Sequence, residues 1–238
     1  MKQKCFKPPI TLFLLLFFTA LYGNAQEKEK VLSFAKGTWH TAVTLSIKDT
    51  KDDNIDNLLF KINENKTNSF EVNILGGYFF KDYMSTGMRY SYLKRERNLN
   101  YQTDSNDQVR RQYALSRHTF VGFIRNYFPI SADNRFNFFN ETDLGIGFGN
   151  SNLRHTKSET DITKTYTDDY NLKLGIRPGI AIVIVEGFSF EVAVDLLGLN
   201  YTHHKETANG TSQGTSSDFN FDFDISLLSL GFGLAYYF

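Results

Sequence analysis

Sulfur, proline and tryptophan are scarce: the 238 residues include one Cys, four Pro and one Trp. Charge of one sign is missing too, since 26 basic residues meet 26 acidic ones. That balance leaves no basic face for nucleic acid, and no nucleic-acid partner is expected. No long hydrophobic run is present either. The longest, Ile10 to Leu21, is about 12 residues, whereas a membrane-spanning helix needs about 20. With 41% hydrophobic residues, the chain fits neither a disordered tail nor a helical membrane bundle.

The short apolar run has another reading. Lys2, Lys4 and Lys7 precede it, and the small residues Gly23 and Ala25 follow. This is the pattern of a signal peptide over 1–25, cut between Ala25 and Gln26. Cys5 lies ahead of the apolar run and leaves with the peptide, so disulfides, thiol catalysis and thiolate metal sites are excluded from the mature chain. Loss of three lysines and no acid leaves 23 basic and 26 acidic residues, a charge of −3. Residues 26–35 read as a short periplasmic segment and 36–238 as a barrel domain.

What is plentiful is aromatic and glycine: 23 Phe, 13 Tyr and 17 Gly, a composition that favours strands. Apolar residues recur at every second position along eight stretches. The first carries Trp39, Val43, Leu45 and Ile47 on one face; the second, Phe70, Val72, Ile74 and Tyr78; the third, Met84, Met88, Tyr90 and Tyr92. The fourth carries Phe120, Ile124 and Phe128; the fifth, Phe136, Phe138, Leu144, Ile146 and Phe148; the sixth, Leu172, Leu174, Ile176, Ile180 and Ile182. The seventh runs from Phe188 through Phe190, Val192 and Val194 to Leu196, and the eighth closes on Leu230, Phe232, Leu234, Tyr236 and Phe238. Pro178 lacks a ladder donor, so a bulge is expected in strand six. Phe219, Phe221, Phe223 and Ile225 are out of phase with the closing set, which predicts a second bulge near Leu227 and Leu228.

The connections alternate. Phe80–Asp82, Pro129–Asn134 and Val185–Gly187 are short, whereas Lys48–Lys66, Lys94–Gln112, Asn150–Thr165 and Thr202–Ser217 are long and polar. Short turns at one end and long loops at the other predict an all-β, eight-stranded antiparallel up-and-down transmembrane barrel. Gly37-Thr38-Trp39 before eight strands also describes a soluble lipocalin-like ligand-binding barrel, in which the apolar face lines a cup.

Charge placement separates the two. The polar faces carry Glu71, Arg89, Arg117 with Arg125, Glu141 with Asp143, Lys173 with Arg177, and Glu191 with Asp195, in strands two to seven. Apart from strands three and four, which are both positive, the sign alternates strand by strand, so neighbours can pair across the ladder. Such a set suits the filled lumen of an eight-stranded barrel. On a lipid face each unpaired charge near the midplane would cost about 2–4 kcal/mol. Aromatics cluster near both strand ends, with Trp39, Tyr78, Phe79, Tyr83, Tyr127, Phe128, Phe136, Phe188, Tyr236 and Phe238 at the short-turn end. Tyr90, Tyr92, Phe148 and Tyr201 lie at the other, as in the girdles of a lipid-embedded barrel.

On Lys36-Gly37-Thr38-Trp39, Gly76–Asp82, Phe123–Pro129, Leu174–Gly179 and the closing Ala235-Tyr236-Tyr237-Phe238, the chain resembles the small outer-membrane β-barrel proteins of Gram-negative bacteria, OmpX-like and OmpA-like barrel domains among them. The resemblance implies the bacterial outer membrane, contact with its lipid, and recognition of Phe238, Tyr236 and Leu234 by the barrel-assembly machinery. No peptidoglycan-binding domain is implied, because the sequence closes on the barrel.

A filled lumen predicts a structural or interaction role, with protein, surface or lipid contacts made through the four long loops, and with no enzyme activity and no cofactor. The alternative is a lipid-modifying enzyme of the lipid A deacylase kind. Ser116 and His118 share the lipid-facing side of strand four, a His–Ser pair needs a carboxylate to orient it, and Glu96 is the candidate. His203, His204 and Glu206 are the only metal-ligand cluster, and adjacent histidines fall on opposite strand faces. Four Asn-x-Thr sequons, including Asn209-Gly210-Thr211, are taken as chance.

Overall fold

The computed structural model describes residues 33–56, 60–103, 108–157, 161–223 and 230–238. The expected signal peptide and cleavage site, and the expected bulge at Leu227 and Leu228, lie outside them. The described residues form ten strands: β1 Trp39–Asp56, β2 Phe60–Lys81, β3 Met84–Thr103, β4 Gln108–Pro129, β5 Phe136–Thr156, β6 Ile162–Val185, β7 Phe188–Ala193, β8 Leu197–Ala208, β9 Thr211–Phe223 and β10 Gly231–Tyr237. Eight of them close a ring in the order β1-β2-β3-β4-β5-β6-β7-β10 and back to β1, all antiparallel. Closure removes every sheet edge at that level. β8 continues the line of β7 along β6, and β9 pairs with β8. Among the described residues no ladder joins β9 to β1.

Strand length is where the structure departs most from expectation. β2 to β6 run to 20–24 residues, whereas a tilted strand crosses a bilayer in about 9–11. The four long polar connections are therefore mostly strand. Lys48–Asp56 pairs with Lys61–Ser69, Lys94–Gln102 with Gln108–Ser116, and Asn150–Thr156 with Ile162–Asp168. The fourth is a tight hairpin turning at Asn209-Gly210, both at positive φ (49° and 82°). That is the Asn-Gly turn whose twist matches the flanking strands, which is what this sequon is structurally. Polar Thr/Asn/Lys sequence reads as loop by composition; here the ladder and cross-strand pairs hold it as sheet.

Pro178 shows how the irregularity is placed. Its ladder with β5 is undisturbed at Asn140↔Pro178. Its carbonyl points the other way and accepts from the Val194 N–H at 3.1 Å, so its missing donor also faces that side. There the partner strand is broken at residues 194–196. Three steps on β6, from Gly179 to Ile176, face four on its partner, from Ala193 to Leu197. The bulge expected in strand six therefore sits on its neighbour, where no donor from Pro178 is needed. It flips the phase, so Leu199 and Tyr201, not the even residues, continue the outer face. β9 and β10 are also out of phase: Phe219 and Phe221 face outward in one, Phe232 and Leu234 in the other.

The two faces of the ring are inverted relative to a lipocalin. Outward lie exposed apolar residues, among them Val43, Ile74, Met88, Phe120, Ile124, Leu144, Ile146, Leu172, Ile180 and Leu234. Inward lie Arg89, Arg125, Glu141, Asp143, Arg177 and Glu191, all at most 7% exposed.

Candidate functional site

Among the described residues, charge, burial and cavity coincide in the lumen, which is built in three storeys. At the short-turn end it is filled by rings. Phe34, Phe79, Tyr127 and Tyr237 pack with centroids 4.6–6.1 Å apart. His40, 1% exposed, lies stacked on Tyr237, and Phe139 abuts Tyr127. Phe34 belongs to the segment assigned outside the barrel. Backbone bonds Tyr83 N to Phe34 O (2.8 Å) and Gly37 N to Phe79 O (2.8 Å) fix it under the ring. Phe79 and Tyr127, expected in the lipid girdle, are thus corrected to the interior. The neighbouring outer face keeps Trp39, Tyr78, Phe128, Phe138, Phe188, Tyr236 and Phe238 in paired contacts.

Doublets signal this plug. Phe79-Phe80, Tyr127-Phe128, Phe138-Phe139 and Tyr236-Tyr237 each put one ring on either face, because successive strand residues alternate.

The middle storey is ionic. Glu141 accepts from Arg89 and, at 2.7–2.8 Å, from Arg125. Arg89 also donates to Asp143 at 2.5 Å. Arg125 reaches Glu191 at 2.9 Å and the Tyr127 hydroxyl at 3.0 Å, and lies 4.2 Å from the Phe139 ring centroid. The Tyr237 hydroxyl donates to Glu191 at 3.1 Å. In the break between β7 and β8, Asp195 meets Lys173 at 2.8 Å and Arg177 at 3.4 Å. Bulges re-aim side chains, and this one supplies the carboxylate for two cations of β6.

Of the residues named from sequence, Arg89, Arg125, Glu141, Asp143, Arg177 and Glu191 are buried inside, Glu71, Arg117, Lys173 and Asp195 line the cavity, and only some pair with a neighbouring strand. Arg125–Glu141 is a neighbour pair; Arg89–Glu141, Arg89–Asp143 and Arg125–Glu191 cross the lumen instead. An eight-stranded ring is narrow enough for arginine to bridge it. Arg117 approaches Asp169 at 3.5 Å. Glu71 makes no ion pair among the described residues.

Above this the lumen opens. A cavity of about 240 Å³ is lined by Glu71, Asn73, Arg89, Arg95, Arg117, Lys173, Arg177 and Asp195, among others. Further out, Arg95, Arg97, Arg111 and Tyr113 border a second, of about 340 Å³.

The outer face of the same strands changes character along ladder rows. Ile74, Tyr90, Phe120, Ile146, Leu172 and Tyr201 stand in one row, and Val72, Tyr92, His118, Phe148, Tyr170 and His203 in the next. Then follow Phe70, Lys94, Ser116, Asn150, Asp168 and Lys205, where the face turns polar. His118 and Ser116 sit at that transition. The His118 Nδ1 is 2.7 Å from the Tyr90 hydroxyl, and its ring lies 5.0 Å from that of Tyr92. Glu96 pairs with Lys94 at 2.8 Å and stands opposite Ala114 in the ladder. The structure does not bring Glu96 to His118.

His203 and His204 point to opposite faces, as expected. His203 meets Ser217 at 2.8 Å outside; His204 meets Asp169 at 2.5 Å and Asp218 at 3.3 Å inside. Among the described residues no group of three His, Cys, Asp or Glu side chains is arranged to hold a metal ion. Phe238 closes the ring by exchanging backbone bonds with Trp39 at 2.7 and 2.9 Å.

No protein-family model and no curated protein sequence matches the chain. Solved structures that resemble it include two outer-membrane proteins. The outer membrane protein OprG from Pseudomonas aeruginosa shares 13% identity, covering 87% of this chain and 98% of that one, with a TM-score of 0.42. An outer membrane channel from Pseudomonas putida F1 shares 8% identity, covering 90% of this chain and 100% of that one, with a TM-score of 0.24.

Proposed function

We propose that the chain is an integral bacterial outer-membrane barrel with a structural or interaction role, anchored by its apolar belt and presenting a rigid, strand-built outer extension to surface partners. The observation that carries this reading is the inversion of faces: a continuous exposed apolar band around a ring whose interior is ionic. In water that band would be a large aggregation-prone surface; in lipid it costs nothing to expose. The aromatic plug beneath the ionic storey argues against a through-channel for solutes. Outer-leaflet lipid is the natural contact of the polar transition row, and the last strand, ending at Phe238, is the segment the assembly machinery would read.

The non-catalytic reading is part of the proposal. His118 already has a tyrosine hydroxyl at its Nδ1, where a triad would place a carboxylate. Replacement of His118 by Ala is expected to leave lipid A acylation in the host unchanged; a changed acyl pattern would restore the enzyme alternative. The anchoring itself is tested on membranes. The mature protein should resist carbonate extraction and migrate differently in gels before and after boiling. Recovery in the soluble periplasmic fraction with no mobility shift would overturn it.

A further inference from the structure

We infer that the upper lumen is a blind, outward-opening cup that binds a small oxyanion, a carboxylate or phosphoryl group on a solute entering from the outer mouth. This goes beyond the anchoring role and does not depend on it. Five cationic side chains, Arg89, Arg95, Arg117, Lys173 and Arg177, line the cavity of about 240 Å³, against two carboxylates, Glu71 and Asp195. Within the protein Arg89 is satisfied by Glu141 and Asp143, and Lys173 by Asp195.

Arg117 and Arg177 each keep an unpaired donor. The Nε atoms of both Arg117 and Arg177 are buried and have no hydrogen-bond partner, although Arg177 as a whole is only 7% exposed. Arg117 holds its single carboxylate at 3.5 Å, and the Nε of Arg177 lies 3.4 Å from Asp195 without hydrogen-bond geometry. A buried donor left unpaired is costly, more so when charged, so an acceptor in the cavity recovers that cost. Guanidinium edges match the two oxygens of a carboxylate or phosphate.

Access is also built in. Arg95, Arg97 and Arg111 face the interior of β3 and β4 above the cavity and would draw anions inward. Beneath it, the ion-pair storey and the rings of Phe34, Phe79, Tyr127 and Tyr237 close the base, so solute enters and leaves by one end. The volume equals that of about eight waters, which limits the ligand to a small molecule.

The test uses the full mature chain refolded in micelles, with inorganic phosphate and citrate as probes and chloride at equal ionic strength as control. Arginine Nε–H resonances are followed by heteronuclear NMR. Saturable shifts of Arg117 and Arg177 are expected, and Arg117→Gln should weaken the fitted affinity about tenfold or more. Arg95→Gln, at the exposed mouth, should weaken it as well and does not depend on the buried pairs for folding; heat-modifiable mobility verifies each variant. Shifts that never saturate and are matched by chloride would overturn the proposal, leaving water as the partner of the two Nε atoms. So would saturable shifts that persist in both variants. A soluble protein that still binds phosphate at these residues would sink the membrane reading alone.

Discussion

Glu141 is held by two guanidiniums from different strands and is fully buried. Removing one member of such a set leaves uncompensated charge, at a cost of about 3–5 kcal/mol. Glu141→Gln is therefore expected to lower the unfolding free energy of the micelle-refolded barrel by about that amount in a urea titration. Glu71→Gln, which breaks no ion pair among the described residues, should change it by less than about 1 kcal/mol. Equal effects would mean that the ionic storey adds nothing specific. A second residue-scale test concerns Gly77, where an added Cβ would lie 2.2 Å from the His40 Nε2. His40 cannot step aside, being packed on Phe79 and Tyr237. Gly77→Ala should cost about 1–3 kcal/mol, and adding His40→Ala should recover part of it, giving a double-mutant cycle with clear coupling. At this scale the sequence was legible by parity for the buried charges of β3 to β7, such as Arg89, Glu141 and Glu191, whereas Asp195 is aimed by the break after β7. The plug was not, because Phe79 and Tyr127 are aromatic residues near a strand end, and aromatic composition alone does not say which face they occupy. Phe34 was invisible for another reason, since it precedes the first strand and is fixed only by tertiary contacts.

Along each element, on the proposed membrane reading, the boundary between apolar and polar outer rows sets the depth of immersion. Ile146 lies in the apolar belt; Asn152 lies six residues further up the same strand, beyond the transition at Asn150. Ile146→Lys is expected to destabilise the bilayer-inserted barrel by about 2–4 kcal/mol, and Asn152→Lys by no more than about 1 kcal/mol. Refolding into vesicles at graded urea measures both, and similar costs would mean that the belt is drawn at the wrong height. Strand existence and order followed from periodicity, yet element length did not. Residues 94–102 alternate weakly and are rich in Arg and Asn, so only Leu99 and Tyr101 hint at an inner face; the extension stands as sheet through its ladder with 108–116 and pairs such as Arg97 Nε to Asn65 at 2.9 Å. The displaced bulge has a similar explanation. Pro178 signals that a donor is missing but not which of two neighbouring strands adapts.

For the molecule as a whole, the plug, the ionic storey and the open cup form an axis closed at one end, and on the proposed membrane reading the girdles fix where that axis sits in the bilayer. Trp39 is the only tryptophan, which makes it a depth gauge for the entire barrel. It faces outward at 54% exposure, beside Tyr78, on the strand that the carboxyl-terminal Phe238 closes against. An indole at a short-turn end belongs in the interfacial belt, where its apolar body meets the acyl chains and its N–H meets the headgroups. In vesicles made with brominated lipids, Trp39 fluorescence should be quenched most by bromines placed high on the acyl chain and least by those near its end. Quenching that is strongest near the bilayer centre would shift the belt by half the membrane thickness and place the polar row of Lys94, Ser116 and Asp168 in hydrocarbon. Absence of quenching by any of the lipids would show instead that the exposed belt is covered by something other than lipid.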